Sequence, residues 1–392
     1  MGPIALLRIA GGKRDWFAFA GRFSSNAGSV KRGAHLGFVK KQFSLLLALL
    51  AIVGLNDCAS NHVGHVAYIS LAGAKQVAGY KISSSGKLSA IQGSPFSGGS
   101  SPESIYIHPS KKFLYAANEG GGDISLFNVD SSSGALTESS SRTTAGTSPV
   151  ALAMDSNGKF LFVANSGSDD ISVYSINDTN GALAPVTGSP FPTGAKPLDL
   201  TASSNGFLYV SNSNAGSVSA YSISSSSGQL TEISGSPYPV GTDPYSLAAD
   251  PGGHFLYVAN LVSGSISAFT IDSSSGSLTS ITNYSAGSNP ISVAVDTSGK
   301  YVYVANSGSS NVSAFSIDSS SGRLTQISGS PFGAGSTPVF AVVDASDQFL
   351  YVGDQSSKIY GFSINSSTGA LTANSGSPYS LSSTPSSMFT MQ

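Results

Sequence analysis

Three carboxylates, Glu103, Glu119 and Asp199, break a pattern that the rest of the chain repeats. Glu103 and Asp199 follow prolines by one and two positions, in units two apart. Carboxylates gathered at one opening can act as a general base on a water, or can hold a hard cation such as Ca²⁺ through oxygen ligands. Lys196, Asp243, Tyr245 and Phe340 depart from the pattern in the same way. Tyr245 and Phe340 have the shape to stack on a sugar ring, while Lys196 and Asp243 can contact a polar ligand. Neither a Cys/His cluster suited to zinc nor a Gly-rich phosphate loop opening a helix occurs, so no cofactor is expected beyond a divalent cation.

The pattern itself is a unit of about 47 residues occurring seven times from Val66 onward. Each unit opens on an apolar run ending in small residues and Asn, such as Phe113-Leu-Tyr-Ala-Ala-Asn118, Phe160-Leu-Phe-Val-Ala-Asn165 and Phe255-Leu-Tyr-Val-Ala-Asn260. An alternating strand follows, as in Ile266-Ser-Ala-Phe-Thr-Ile271, then a recurring turn, Asp272-Ser-Ser-Ser-Gly276, and a short polar strand such as Leu324-Thr-Gln-Ile327. Asp bonds its own backbone in such a turn, and Gly supplies the positive φ of a tight hairpin. A Pro-led strand such as Pro290 to Asp296 closes the unit, and its apolar run suits a place buried on both faces.

Four antiparallel strands graded from buried to exposed, seven times over, predict an all-β, seven-bladed β-propeller spanning 66–392. The first unit lacks its Pro-led strand and the last residues, Pro385 to Met391, supply one. The ring is therefore expected to close by pairing the C-terminal strand with the N-terminal strands, leaving no open edge.

Charge divides the chain. Charged residues make up only 10% of it, and the net charge of -2 hides a basic leader and an acidic remainder. An acidic propeller without a basic stripe does not fit nucleic acid. Residues 1–38 read as an over-extended start or a long n-region, and 39–60 as an export signal with Lys40-Lys41 before the apolar run from Phe43 to Leu55. That run is short for a membrane span and suits a secretory signal. Cys58, the one cysteine, resembles the lipid-modified cysteine of a bacterial lipoprotein, and cleavage after Ser60 is the competing reading. Residues 61–65 form a linker. The expectation is an extracytoplasmic monomer in the periplasm or at the cell surface, touching the membrane only through its leader or a lipid anchor.

The repeated Tyr-Val-Ala-Asn strand resembles the YVTN repeats of microbial surface propellers, and the units resemble the seven-bladed lactonase family that includes 6-phosphogluconolactonase-like enzymes. In one unit, Pro102-Glu103-Ser104 runs through His108-Pro109 to Phe113 and on to Asn118-Glu119. The His-Pro and Asn-Glu pairs match the family, whereas Glu103 and Ser104 stand where it often carries Arg and His. The resemblance implies hydrolysis of a sugar-type lactone; the residues of this chain itself then give Glu103, Glu119 and Asp199 as the catalytic candidates and Asn118, Lys196, Asp243, Tyr245 and Phe340 as the substrate-binding ones. The alternative is a non-catalytic propeller that binds a glycan, a peptide or a protein partner across its channel. His108 and His254 are expected on the opposite face, and Arg142 and Arg323 at outer strands.

Overall fold

The computed structural model describes residues 65–392; the leader, Cys58 and residues 61–64 lie outside the described residues. Seven antiparallel sheets follow one another along the chain, each with four strands ordered from the Pro-led strand outward. In blade 2 these are Pro102–Ile107, Phe113–Asn118, Asp123–Val129 and Leu136–Glu138. Six blades add a two-residue strand beside the third, such as Phe96–Ser97 on Gln76–Ile82, which the sequence did not announce. Only blade 5 runs its outer strand unbroken, over Leu278–Ser285. A single 3-10 turn, Ala72–Ala74, is the one helical element among the described residues.

The ring closes as expected. Ser387–Met391 pairs antiparallel with Val66–Leu71, so the last strand becomes the inner strand of blade 1. It begins at Ser387 rather than Pro385. The grading of burial also differs in one respect. The second strand, not the Pro-led one, is buried at every position in all seven blades. The Pro-led strand borders the central channel and keeps part-exposed positions, as in Pro102–Ile107.

Two repeated sequence features turn out to be one joint between blades. In six blades a Tyr of the second strand donates its phenolic hydrogen to the carbonyl of the turn Gly in the next blade: Tyr68 to Gly134 at 2.7 Å, Tyr115 to Gly181 at 2.7 Å, Tyr209 to Gly276 at 2.8 Å. Tyr257, Tyr303 and Tyr351 do the same to Gly322, Gly369 and Gly86, the last bond carrying the joint from blade 7 to blade 1. In blades 2 to 7 the aromatic that opens the second strand packs against the same turn Gly. A Cβ on Gly181 would come 2.7 Å from the Phe113 ring, and its φ of +72° already excludes ordinary side chains. Each buried phenol thus finds the partner that burial demands. Blade 3 carries Phe162 instead of Tyr and lacks the bond.

The Asp-Ser-Ser-Ser-Gly turns need no ion. Asp130 Oδ1 accepts the Ser132 and Ser133 N–H groups at 3.0 and 2.8 Å together with both hydroxyls, which holds this exposed carboxyl well below the usual range.

Candidate functional site at the channel mouth

The Pro-led strand reaches the mouth through a residue bent into left-handed backbone: Ser101, Ser148, Lys196, Asp243 or Asn289, with φ between 51° and 59°. The carbonyl of that residue accepts the N–H that follows the second-strand Asn, as Glu119 donates to Ser101 at 2.9 Å and Ser213 to Lys196 at 2.9 Å. Proline comes next, facing the Asn, and then the register skips one residue. Pro102 pairs with Asn118 but Ser104 pairs with Ala117, leaving Glu103 as a β-bulge. The same slip leaves Val150, Leu198, Tyr245, Ile291 and Val339 bulged in blades 3 to 7. All six are part-exposed at the channel opening.

One residue further on, the side chain turns to the neighbouring blade. Ser387 Oγ accepts the Ile105 N–H at 3.1 Å, Ser104 accepts Leu152 at 3.2 Å, Ser246 accepts Val293 at 3.2 Å and Ser292 accepts Ala341 at 3.1 Å. These bonds lace the inner strands into a girdle. Asp199 occupies this position in blade 4, and its Oδ2 accepts the Leu247 N–H at 3.1 Å. Blade 3 presents Ala151, which has no acceptor for Leu200, and Asp199 Oδ1 fills that gap on its own strand at 2.8 Å. Burial pushes its carboxyl up to about 6, against the opposing effect of these hydrogen bonds.

The expected carboxylates do converge. Glu103 projects from its bulge with Oε1 accepting the Ser101 hydroxyl at 3.0 Å. Burial raises its pKa; the Ser101 bond opposes this, and the nearby Glu119 charge adds to it. Tyr245 sits on the bulge three blades away. Its phenol is raised by burial first, then by the charges of Glu103, Asp199, Asp243 and Glu119. Glu119 follows the Asn that faces Pro102, Asp243 immediately precedes Pro244, and Asp199 lies one residue past the Leu198 bulge, so all four acids stand at the proline end of the inner strands, where Tyr245 also sits. Asp243 accepts a hydrogen bond from the buried Ser213 hydroxyl. Lys196 lends its backbone N–H to Asp169 Oδ1 at 2.7 Å and extends an exposed side chain at the rim.

Two expected contacts are placed otherwise. Asn118 is fully buried, with Nδ2 donating to Asp123 at 2.6 Å and Ser125 at 2.9 Å. It braces the mouth loop, so tightly that a Cβ on Gly99 would fall 2.1 Å from its amide carbon. Phe340 is 6% exposed and packs against Gly353 and the entry of blade 1 at Pro385. It lies in the girdle register rather than on the bulge, which turns its ring into the blade interface. The residues that sequence reasoning passed over are the aliphatic bulges Val150, Leu198, Ile291 and Val339. Their signal was simple: each directly follows an inner-strand proline.

The histidines lie where expected. His108 is buried in the turn at the far face, bonded to Ser110 and to the Gly158 carbonyl at 2.7 and 2.8 Å. His254 borders the same face beside Asp250, and His65 stands 2.8 Å from Asp344. A recess of about 300 Å³ opens at that far end among Tyr106, Met154, Asp155, Thr201 and Asp250. Its carboxylates are occupied: Asp155 takes the Phe160 N–H and Asp250 those of His254 and Phe255. Arg142 pairs with Glu138 at 2.8 Å beside an outer strand. Among the described residues no three His, Cys, Asp or Glu side chains are grouped to hold a metal ion.

The family model for the lactonases with a 7-bladed β-propeller matches residues 59–197, 187–295 and 291–383. The chain belongs to this lactonase family. Among solved structures, a proposed 6-phosphogluconolactonase of Bacteroides fragilis superposes with a TM-score of 0.74 at 20% identity, over 85% of this chain and 99% of its own. The periplasmic gluconolactonase of Pseudomonas aeruginosa gives 0.73 at 19% identity, over 84% and 99%. At such identities the likeness is one of fold. No curated protein sequence matches the chain. Among the described residues, the mouth holds Glu103 and Tyr245, while the histidines lie at the far face or blade edge and Arg142 at an outer strand.

Proposed function

We propose that this protein hydrolyses an unphosphorylated, sugar-type lactone at the channel mouth. The observation that carries the reading is the placement of Glu103 and Tyr245 on opposed bulges of one opening, electrostatically in reach of each other. Glu103 takes a proton from the water that attacks the lactone carbonyl carbon. Tyr245 donates its O–H to the carbonyl oxygen as negative charge develops there. The ring C–O bond then breaks, and the leaving alkoxide recovers the proton from Glu103, giving the open hydroxy acid. Asp199 keeps the wall in register, and Glu119, Asp243 and Lys196 set the polarity of the rim.

A phosphorylated substrate fits poorly. Phosphate is usually held by the paired donors of arginine, and Arg142 is committed to Glu138 at an outer strand. The periplasmic relative and the basic, apolar leader over 39–60 support an extracytoplasmic setting. Among the described residues no helix is long and apolar enough to cross a membrane.

The experiment is direct. The purified protein is offered glucono-δ-lactone and its 6-phosphate, with EDTA and with added Ca²⁺ or Mg²⁺. Hydrolysis that exceeds buffer, favours the unphosphorylated lactone, survives EDTA and is lost in Glu103→Gln at unchanged thermal stability supports the reading. Rates equal to buffer in every condition would sink it. They would leave the second reading, a propeller binding a glycan or peptide at the same mouth without turnover. The want of a histidine at the mouth among the described residues favours that alternative.

A further inference from the structure

The six bulges make a ring of their own. Each falls at the same register step, directly after the inner-strand proline, so the six side chains stand at one level around the opening. Two of them, Glu103 and Tyr245, are polar and three blades apart. The other four are branched aliphatics in two arcs: Val150 and Leu198 in blades 3 and 4, Ile291 and Val339 in blades 6 and 7. The girdle beneath adds no hydroxyl under Val150 or Val339, where it carries Ala151 and Phe340. Ile291 and Val339 pack onto the cores of neighbouring blades. Val150 and Leu198 remain as part-exposed apolar surface on the arc that runs from Glu103 to Tyr245.

A fully hydroxylated ring pressed against that arc would surrender its water without finding partners, which costs more than the contact returns. A hydrocarbon laid there would be driven by the removal of apolar surface from water. Resting on the proposed hydrolysis, we infer that the mouth selects an uncharged lactone bearing a hydrocarbon arm, its carbonyl between Glu103 and Tyr245 and its arm on Val150 and Leu198. The substrate class is thereby narrowed from sugar lactones in general to deoxygenated or alkylated ones.

The test uses six-membered lactones carrying methyl to pentyl side chains, with glucono-δ-lactone as the polar comparison. The expected result is a kcat/KM that rises about threefold to fourfold for each of the first added methylenes, with glucono-δ-lactone below the series. Leu198→Asn should flatten that rise. Val150→Thr, close to isosteric, serves if the first variant fails to fold. A flat series, or a preference for glucono-δ-lactone, overturns the inference while hydrolysis itself stands. If no lactone is hydrolysed the proposed reaction fails, and calorimetry with the corresponding lactams decides the inference alone. Tighter binding of the pentyl lactam than of gluconolactam supports it; equal or weaker binding overturns it.

Discussion

Asp199 Oδ2 accepts the backbone N–H of Leu247 at 3.1 Å, so a side chain in blade 4 holds a strand in blade 5. The same carboxylate closes the gap that Ala151 leaves at Leu200. Replacing Asp199 by Ala would strand two buried N–H groups, each worth about 1–3 kcal/mol when left unpaired. The expected loss is about 2–4 kcal/mol in denaturant unfolding, with Asp199→Asn milder because one amide oxygen can still accept. An Ala variant as stable as the parent would remove Asp199 from the girdle.

The same residue makes stability depend on pH. Its carboxyl stands near 6 in the folded protein, above the ordinary 3.8. The folded chain therefore binds the proton more tightly than the unfolded one, and the stabilisation is full below about pH 4 and lost as pH rises through 6. The shift corresponds to at most about 3 kcal/mol. Across pH 4 to 7 the parent should lose stability relative to Asp199→Asn, which has no such proton. Parallel melting curves for the two proteins would contradict this.

Hydrolysis should rise with pH. Glu103 must be ionised to accept a proton, and burial raises its pKa. The midpoint of kcat/KM against pH is thus expected above the usual carboxylate range. Tyr245→Phe should keep that midpoint while lowering kcat by about 10- to 1000-fold, as befits loss of a donor to the developing oxyanion. An unchanged kcat would remove Tyr245 from the reaction.

The missing rung in blade 3 can be restored. Phe162 is fully buried at the position where six other blades place the Tyr that bonds the next blade's turn glycine. Phe162→Tyr should reach the Gly228 carbonyl and stabilise by about 0.5–1.5 kcal/mol, and Tyr209→Phe should cost a similar amount. Chemical denaturation of both variants gives the measurement. Destabilisation by Phe162→Tyr would mean that the turn in blade 4 cannot receive the hydroxyl.

Closure rests on five residues. Ser387–Met391 covers Val66–Leu71, whose six positions are all buried. Truncation after Pro385 would expose that strand as an open edge, a template for pairing with other chains. The truncated protein should elute as aggregates or fail to accumulate. A soluble, cooperatively melting monomer would show that the clasp is dispensable.

How far the sequence reached can be judged residue by residue. Repetition made the blades legible: an aromatic run ending in Asn, a serine turn and a Pro-led strand recur because each blade buries the same faces against the next. Phase alone predicted that residues 385–391 would meet 66–70, since an incomplete first unit and a surplus last strand complete each other, and the pairing runs from Ser387 to Met391. The gathering of Glu103, Glu119, Asp199, Asp243 and Tyr245 was legible for the same reason, as equivalent positions of a repeat share one end of the channel. What each of them does there was not. Glu103 and Asp199 differ by a single step after their prolines, and an alternating strand without a bulge would have assigned them by simple parity. The bulge instead sets Glu103 free in the opening and commits Asp199 to the wall, and the same step turns Phe340 inward. Bulges arise from how a proline without an N–H meets its neighbouring strand. That pairing exists only once the strands are side by side, so the tertiary structure decided it.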